Sequence, residues 1–279
     1  MDVLNRAAAP IGEVEWQFMT EAVVRVVRRH LVGRRFLTLY GPLGPGAQIV
    51  AVDRTPAWET ARVGMASEDV ESAPVERIYQ RIPLIAQDFV VDWRDLEDAR
   101  ATGRVLDWSK AEAAASFVAL AEDHLIFHGQ ESQGLEGLLT VEGRHVLPST
   151  TLGEPGSGFA EVARAVSHLV SAGFVPPFAV VAGVTQYAGW HRLYGNSGVL
   201  EVEQIARMVE GGVFESPLVP DDSVLVVARG AENLDLAVGL DVNVAFVEST
   251  HMNHIFRVLE TVSLRIKRPS AICQIWRES

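Results

Sequence analysis

The chain has 279 residues, 48% hydrophobic and 22% charged, with a net charge of −12. This composition excludes an intrinsically disordered chain and permits a core that needs neither metal nor disulfide. The acidic balance argues against general binding to a phosphate backbone, and the single cysteine, Cys273, cannot form an intramolecular bridge.

The opening residues, MDVLNRAAAPIGEVEWQ, show no apolar run behind a basic start, so no secretory signal is expected. From Glu13 to Leu31 the apolar positions Met19, Ala22, Val23, Val26 and Val27 recur at helical spacing, with Glu21, Arg25, Arg28 and Arg29 on other faces. Gly33 is read as the left-handed stop of this helix. A short strand, Phe36 to Tyr40, follows and closes at GPLGPG (41–46). Residues 47–78 are the least regular part: β-like pieces at Gln48–Val52 and Val75–Tyr79 flank a polar section. So long a stretch predicts an extended two-stranded arm that reaches a neighbour.

A second helix is predicted from Ser109 to Gly129, with Ser109 and Glu112 as a capping box. A third, Phe159 to Ala172, is predicted to bury Val162, Ala163, Val166, Leu169 and Val170 and to stop at Gly173. Residues 165–191 carry no Asp, Glu, Lys or Arg, but Gly173 and Pro176-Pro177 break the run. The reading is helix, turn and buried strand (Phe178–Ala182), not a membrane span. A cytosolic location is therefore expected. Thr185–Tyr194 and Glu201–Glu210 read as helices around the loop GNSG, and from Val224 the chain turns to strands: VLVVA, LDLAVGL, VNVAFVE and HIFRVLETVSLRIK. This order of elements makes the fold class α+β.

Signals for chemistry are few. Neither lysine (Lys110, Lys267) follows a glycine, so no phosphate-binding Gly-Lys-Ser/Thr loop exists, and GPLGPG does not have the dinucleotide-binding order of glycines. Ser197 in GNSG lacks the full nucleophile-elbow pattern. Cys273, in AICQIW, reads as a small buried hydrophobe. His124 and His128 lie one helical turn apart, and His251 and His254 share HMNH; both pairs read as structural or interface histidines without a metal-site motif around them. No catalytic residue, metal or cofactor is assigned. A large core, a protruding arm and no convergent catalytic set suit a building block.

The sequence resembles the encapsulins, shell proteins that share the fold of tailed-phage major capsid proteins. The resemblance runs through Leu4, Arg6, Ala9-Pro10-Ile11, Trp16, Gly33-Arg34-Arg35-Phe36 and Gly41-Pro42. It continues at Ile82-Pro83-Leu84, Phe89, Trp93, Ala121-Glu122-Asp123, Gly134-Leu135-Glu136-Gly137-Leu138 and Gly211-Gly212. The last part is Phe256-Arg257-Val258-Leu259-Glu260, then Arg265 and Pro269. It implies a phage major capsid-type fold with a peripheral domain (1–46, 79–144 and 236–279), an extension loop (47–78) and an axial domain (145–235). It also implies an icosahedral homo-oligomer in the cytoplasm, without membrane or nucleic acid. Cargo, ferritin-like or a peroxidase, would be held through a short C-terminal targeting peptide in a groove walled by Val27, Arg34, Leu39, Asp241 and Val242. Iron storage and oxidative-stress defence follow from the ferritin-like alternative. The loop Tyr194, Gly195, Asn196, Ser197, Gly198 would line a fivefold pore. No lysine precedes Lys110, so the arm cannot form the lysine cross-links of some phage capsids. Two rivals stand beside this reading: a phage-type major capsid protein that packages DNA, and an enzyme.

Overall fold

The structure is a computed structural model that describes residues 3–55, 76–195 and 198–278. Helix α1 spans Glu13–His30, with Glu13 and Glu15 in its first turn and Arg28, Arg29 and His30 in its last. That charge order complements the helix dipole at both ends. Its inward face is Trp16, Met19, Ala22, Val23, Val26 and Val27. The end of the helix departs from the sequence expectation. Leu31 is already extended, and Gly33 opens a short 3-10 turn without a positive φ. The glycine is needed for a different reason: a Cβ there would stand 2.5 Å from Ile126 Cδ1.

The strand expected from Phe36 is shorter, β1 (Thr38–Tyr40), because Phe36 is buried as the cap of that turn. The arm is a ribbon of β2 (Ile49–Arg54) and β3 (Glu76–Arg81), paired antiparallel from Ile49↔Arg81 to Arg54↔Glu76; the rest of the predicted arm, residues 56–75, lies outside the described residues. Strand β4 (Leu84–Val91) and helix α2 (Trp93–Thr102) follow. Asp92 starts α2 by accepting the Arg94 N–H, and Gly103 ends it. Helix α3 (Ser109–His128) is as expected in extent, but not in capping. Asp107 accepts both the Ser109 N–H and its hydroxyl, while Glu112 pairs with Arg25 of α1 at 2.5 Å.

Two short strands, β5 (Gly129–Gln130) and β6 (Leu135–Glu136), make a tight return, and β7 (His145–Ser149) leads to α4 (Ser157–Ser171). Helix α4 buries Val162, Ala165 and Leu169, together with Glu161, whereas Val170 faces out. The difference is one of phase: the buried stripe runs through 158, 162, 165 and 169. Strand β8 (Phe178–Ala182) is wholly buried, as its sequence predicts. Helices α5 (Val184–Gly189) and α6 (Glu201–Val209) flank the GNSG loop, and the first is shorter than expected. Strands β9 (Glu210–Glu215) and β10 (Ser223–Ala228) come next. The two expected strands of 234–248 are one, β11 (Leu234–Thr250), with register shifts against β12 (Asn253–Ile266). The last strand is β13 (Ile272–Arg277).

The strands form two main sheets. One has the order β1-β11-β12-β4, the other β7-β13-β10-β8-β9. Helices α1 and α3 pack on the first, around Phe256, whose ring meets those of Trp16, Phe89 and Phe246 at 5.3–5.7 Å between centroids. Helices α4 and α6 cover the second, with Val162, Leu169, Ile205 and Val209 against Val180, Val226 and Ile275. Strand β13 pairs with β7 and β10, so residues 272–277 belong with this second layer and not with β11 and β12, where the span 236–279 had placed them. The fold is thus mixed α and β, in two layered units joined by the β11–β12 hairpin.

Candidate functional site

Where β11 breaks register, between Leu240 and Asn243, the surface carries a charged cluster. Arg34 is at its centre. Its Nε and Nη2 donate to Glu122 at 2.7 and 2.8 Å, Nη2 also to Glu260 at 2.7 Å, and Nη1 to Asp241 at 2.6 Å. The Glu122 and Glu260 side chains are fully buried, Arg34 is nearly so, and Asp241 is 67% exposed. One guanidinium therefore joins helix α3, strand β12 and the irregular part of β11, and it presents a single carboxylate, Asp241, to solvent.

Burial opposes the Arg34 charge, but Glu122, then Glu260 and Asp241, outweigh it and hold the guanidinium above its ordinary value. Glu260 titrates well above the usual carboxylate range, because burial and the adjacent negative charge of Glu122 both favour its protonated form. Next to them, Asp123 accepts the N–H groups of Val32 and Gly33 at 2.8 and 2.9 Å. Burial pushes its carboxyl up to about 6 against these two bonds. A carboxyl raised in the folded state stabilises the fold most below its unfolded value, and that contribution is lost as pH rises through the folded value. The stability difference between wild type and Asp123→Asn is thus expected to shrink by roughly 2–3 kcal/mol between about pH 4 and pH 7. Urea denaturation at a series of pH values checks it; a constant difference refutes the assignment.

The sequence-predicted wall residues divide around this cluster. Arg34 and Asp241 are in direct contact, and Val242 is half-buried against the α1–α3 core beside them. Val27 is buried in that same core and presents no open face. Leu39 stands on the edge strand β1, in register with Leu236 and half exposed. Nearby, a cleft of about 740 Å³ opens between the N-terminal segment and α1, lined by Arg6, Ala9, Ile11, Trp16, Gln17 and Thr20. Arg6 lies over the Trp16 ring at 5.2 Å and donates to Asn243 at 2.7 Å, so the cleft adjoins the broken stretch of β11. Reading the sequence for site residues missed Glu122, Glu260 and this cleft. The available signal was the pair Glu122-Asp123 on the buried face of the mostly apolar stretch 113–127 of α3.

The residues expected to line a pore lie elsewhere. Tyr194 and Gly195 begin, and Gly198 ends, a tight loop closed by Leu193↔Leu200 and by the Tyr194 N–H on Val199 O at 2.9 Å. Asn196 and Ser197 lie outside the described residues. Among the histidines, His128 Nε2 is 2.7 Å from Leu218 O, which engages one ring of the His124–His128 pair in packing. Cys273 is buried, and burial raises its thiol to about 12, out of the nucleophilic range at neutral pH. No group of three His, Cys, Asp or Glu side chains among the described residues is placed to hold a metal ion. No helix among them is long and apolar enough to cross a membrane.

Two layered units joined by a long hairpin, with a two-stranded ribbon against the first, make up the fold of phage capsid subunits. The virus-like particle from Pyrococcus furiosus matches with a TM-score of 0.73 at 20% identity, over 95% of this chain and 100% of that one. The capsid protein of the Myoviridae phage XM1 matches with a TM-score of 0.61 at 13% identity, over 87% and 90%. Sequence narrows the class. The family model Linocin_M18, described as "Encapsulating protein for peroxidase", matches residues 1–263. The type 1 encapsulin shell protein EncA of Myxococcus xanthus is 42% identical over 98% of this chain and 96% of its own. The chain belongs to the encapsulin family: it is a shell protein, the subunit of an icosahedral compartment.

Proposed function

We propose that this shell holds a cargo protein on its inner face by a short C-terminal peptide, laid along the broken stretch of β11 and the adjacent cleft. The observation that carries the reading is the Arg34–Asp241 contact. It fixes an exposed carboxylate beside half-buried Val242 and a largely apolar cleft, a combination that anchors an extended peptide by apolar contact and orients it by charge. The first helix–sheet layer serves as the peripheral domain and the five-stranded layer as the axial domain. The Tyr194–Gly198 loop of the axial domain surrounds a pore, and the β2–β3 ribbon is the extension loop that reaches a neighbouring subunit. The shell is cytoplasmic and has no active site of its own. Its cargo is ferritin-like, which assigns the compartment to iron storage and oxidative-stress defence; the name of the family favours a peroxidase as the second reading.

The test is loading. A fluorescent reporter that ends in a Leu/Gly-rich tail, co-expressed with the wild-type chain, is expected to co-sediment with the particles. Leu39→Asp, at a half-exposed position, is expected to lower reporter per particle about tenfold or more, the loss of roughly 1.4 kcal/mol of apolar contact. Equal loading of both shells would remove Leu39 from the wall, and no loading of either would reject the tail-binding groove.

A further inference from the structure

Helix α1 ends in a run of cations that the fold does not neutralise. Arg25, Arg28, Arg29 and His30 stand exposed on its C-terminal half, and Arg35 is exposed just beyond it. Arg25 is matched by Glu112. Arg35 donates to the Arg29 carbonyl at 2.9 Å, closing one open acceptor at the helix end. The side chains of Arg28 and Arg29 have no hydrogen-bond or ion-pair partner among the described residues. The negative end of a helix dipole answers only about half a charge, so Arg28, Arg29 and Arg35 exceed what the helix end needs. Glu21 and Glu215 lie at the two ends of this face and pair with none of the three. In a chain of net charge −12, such a patch is not a product of overall composition.

The patch adjoins the cleft described above. That cleft runs past Trp16 and Gln17 to Thr20 and Glu21, and the same two residues open a second hollow of about 620 Å³, lined by Val24, Arg25, Arg28 and Arg29. The two hollows therefore form one track along α1, largely apolar at its start and cationic at its end. From Gln17 to Arg29 the helix rises about 18 Å, which five or so extended residues span. A chain that lies in the cleft and continues along α1 is led past the arginines. One terminal carboxylate would answer one guanidinium; three of them call for several acids, which a segment supplies and a chain end does not.

We propose that the arginine end of α1 takes an acidic segment of the cargo, the stretch that immediately precedes the tail, so that cargo is selected by the charge beside its tail as well as by the tail. The inference rests on the reading that a C-terminal peptide occupies the cleft. Arginine suits the task, because it stays charged and pairs carboxylates with two parallel bonds. Exposed pairs are individually weak, so the effect is a preference to which several pairs contribute.

Reporters of different colour that share one Leu/Gly-rich tail would be co-expressed in pairs with the shell, the tail preceded by a Glu-rich, a Gly/Ser or a Lys-rich segment. Loading is read as the colour ratio in purified particles divided by the ratio in the cell. Wild-type particles are expected to enrich the Glu-rich reporter about fivefold over the Gly/Ser one, as three exposed ion pairs would give. Arg28→Gln combined with Arg29→Gln is expected to remove most of that preference while loading the Gly/Ser reporter as wild type does. Arg28→Glu with Arg29→Glu is expected to reverse it in favour of the Lys-rich reporter; should this pair fail to assemble, the Gln pair decides. Equal loading of all three reporters by wild type, or an unchanged preference in the Gln pair, overturns the proposal. Open fragments from the Gln pair would assign the arginines to a contact between subunits, and nuclease-resistant nucleic acid in wild-type particles that the Gln pair lacks would assign them to nucleic acid. Either result overturns it as well. Loading without charge preference leaves the tail-binding groove standing, whereas no loading of any tailed reporter sinks the groove and this inference with it.

Discussion

Replacing Arg34 by alanine is expected to destabilise the subunit by about 3–5 kcal/mol, because it removes the partner of two buried carboxylates. Glu260, whose protonated form burial and Glu122 already favour, would then lose the cation that opposes this shift. Much of the loss should therefore return as the buffer is made more acidic. A second variant separates charge from packing: Arg34→Met combined with Glu122→Met and Glu260→Leu removes every buried charge of the set. Apolar replacements of similar volume often match or exceed a buried ion network, so this triple variant is expected to recover most of the lost stability. It should still lose reporter loading, since Asp241 no longer has the group that holds it. Chemical denaturation of the variants is the measurement. An Arg34→Ala subunit as stable as wild type at pH 7 would mean that the cluster is solvated.

The second large effect is expected at Gly137. Strands β5 and β6 bring two glycines against each other's backbone: a Cβ on Gly137 would stand 2.4 Å from the Gly129 nitrogen and 2.6 Å from the carbonyl carbon of His128. No side chain can move aside, because each of these neighbours is main chain. Gly137→Ala is expected to cost roughly 3 kcal/mol or more, at the upper end of overpacking. Gly46 gives the contrast. A Cβ added there would meet nothing within 4 Å, and its φ is not positive, so Gly46→Ala is expected to be neutral or to stabilise by up to about 1 kcal/mol. Thermal unfolding of both variants checks the pair. Equal melting temperatures would contradict the close approach of β5 and β6.

How much of this was legible in the sequence depended on whether the signal was local. Helix α1, strand β8 and helix α3 follow from apolar spacing over a few turns or residues, and their predicted bounds lie within a residue or two of the observed ones. Helix α2 was missed because only Leu96 on it is buried, so it has almost no periodic stripe to read. Strands β11 and β12 carry their pattern over long distances, but the bulges at Val238–Asn243 interrupt the alternation, and one strand looked like two. The charged site was harder still. Arg34, Glu122, Asp241 and Glu260 are up to 226 residues apart, and only the packing of α3 against β12 brings the two glutamates onto one guanidinium. Val27, which the resemblance assigned to a wall, lies on the inward stripe of α1, a position that its apolar spacing made legible.

The long hairpin has one more consequence. Leu236, Val262, Leu264 and Ile266 belong to the buried cluster that continues under α4 and α6, while Val244, Phe246, Phe256 and Val258 on the same two strands fill the interior beneath α1 and α3. Neither interior can come apart without taking strands from the other, so the two halves melt together. A subunit that must be gripped from several sides at once is thereby kept from yielding at its waist.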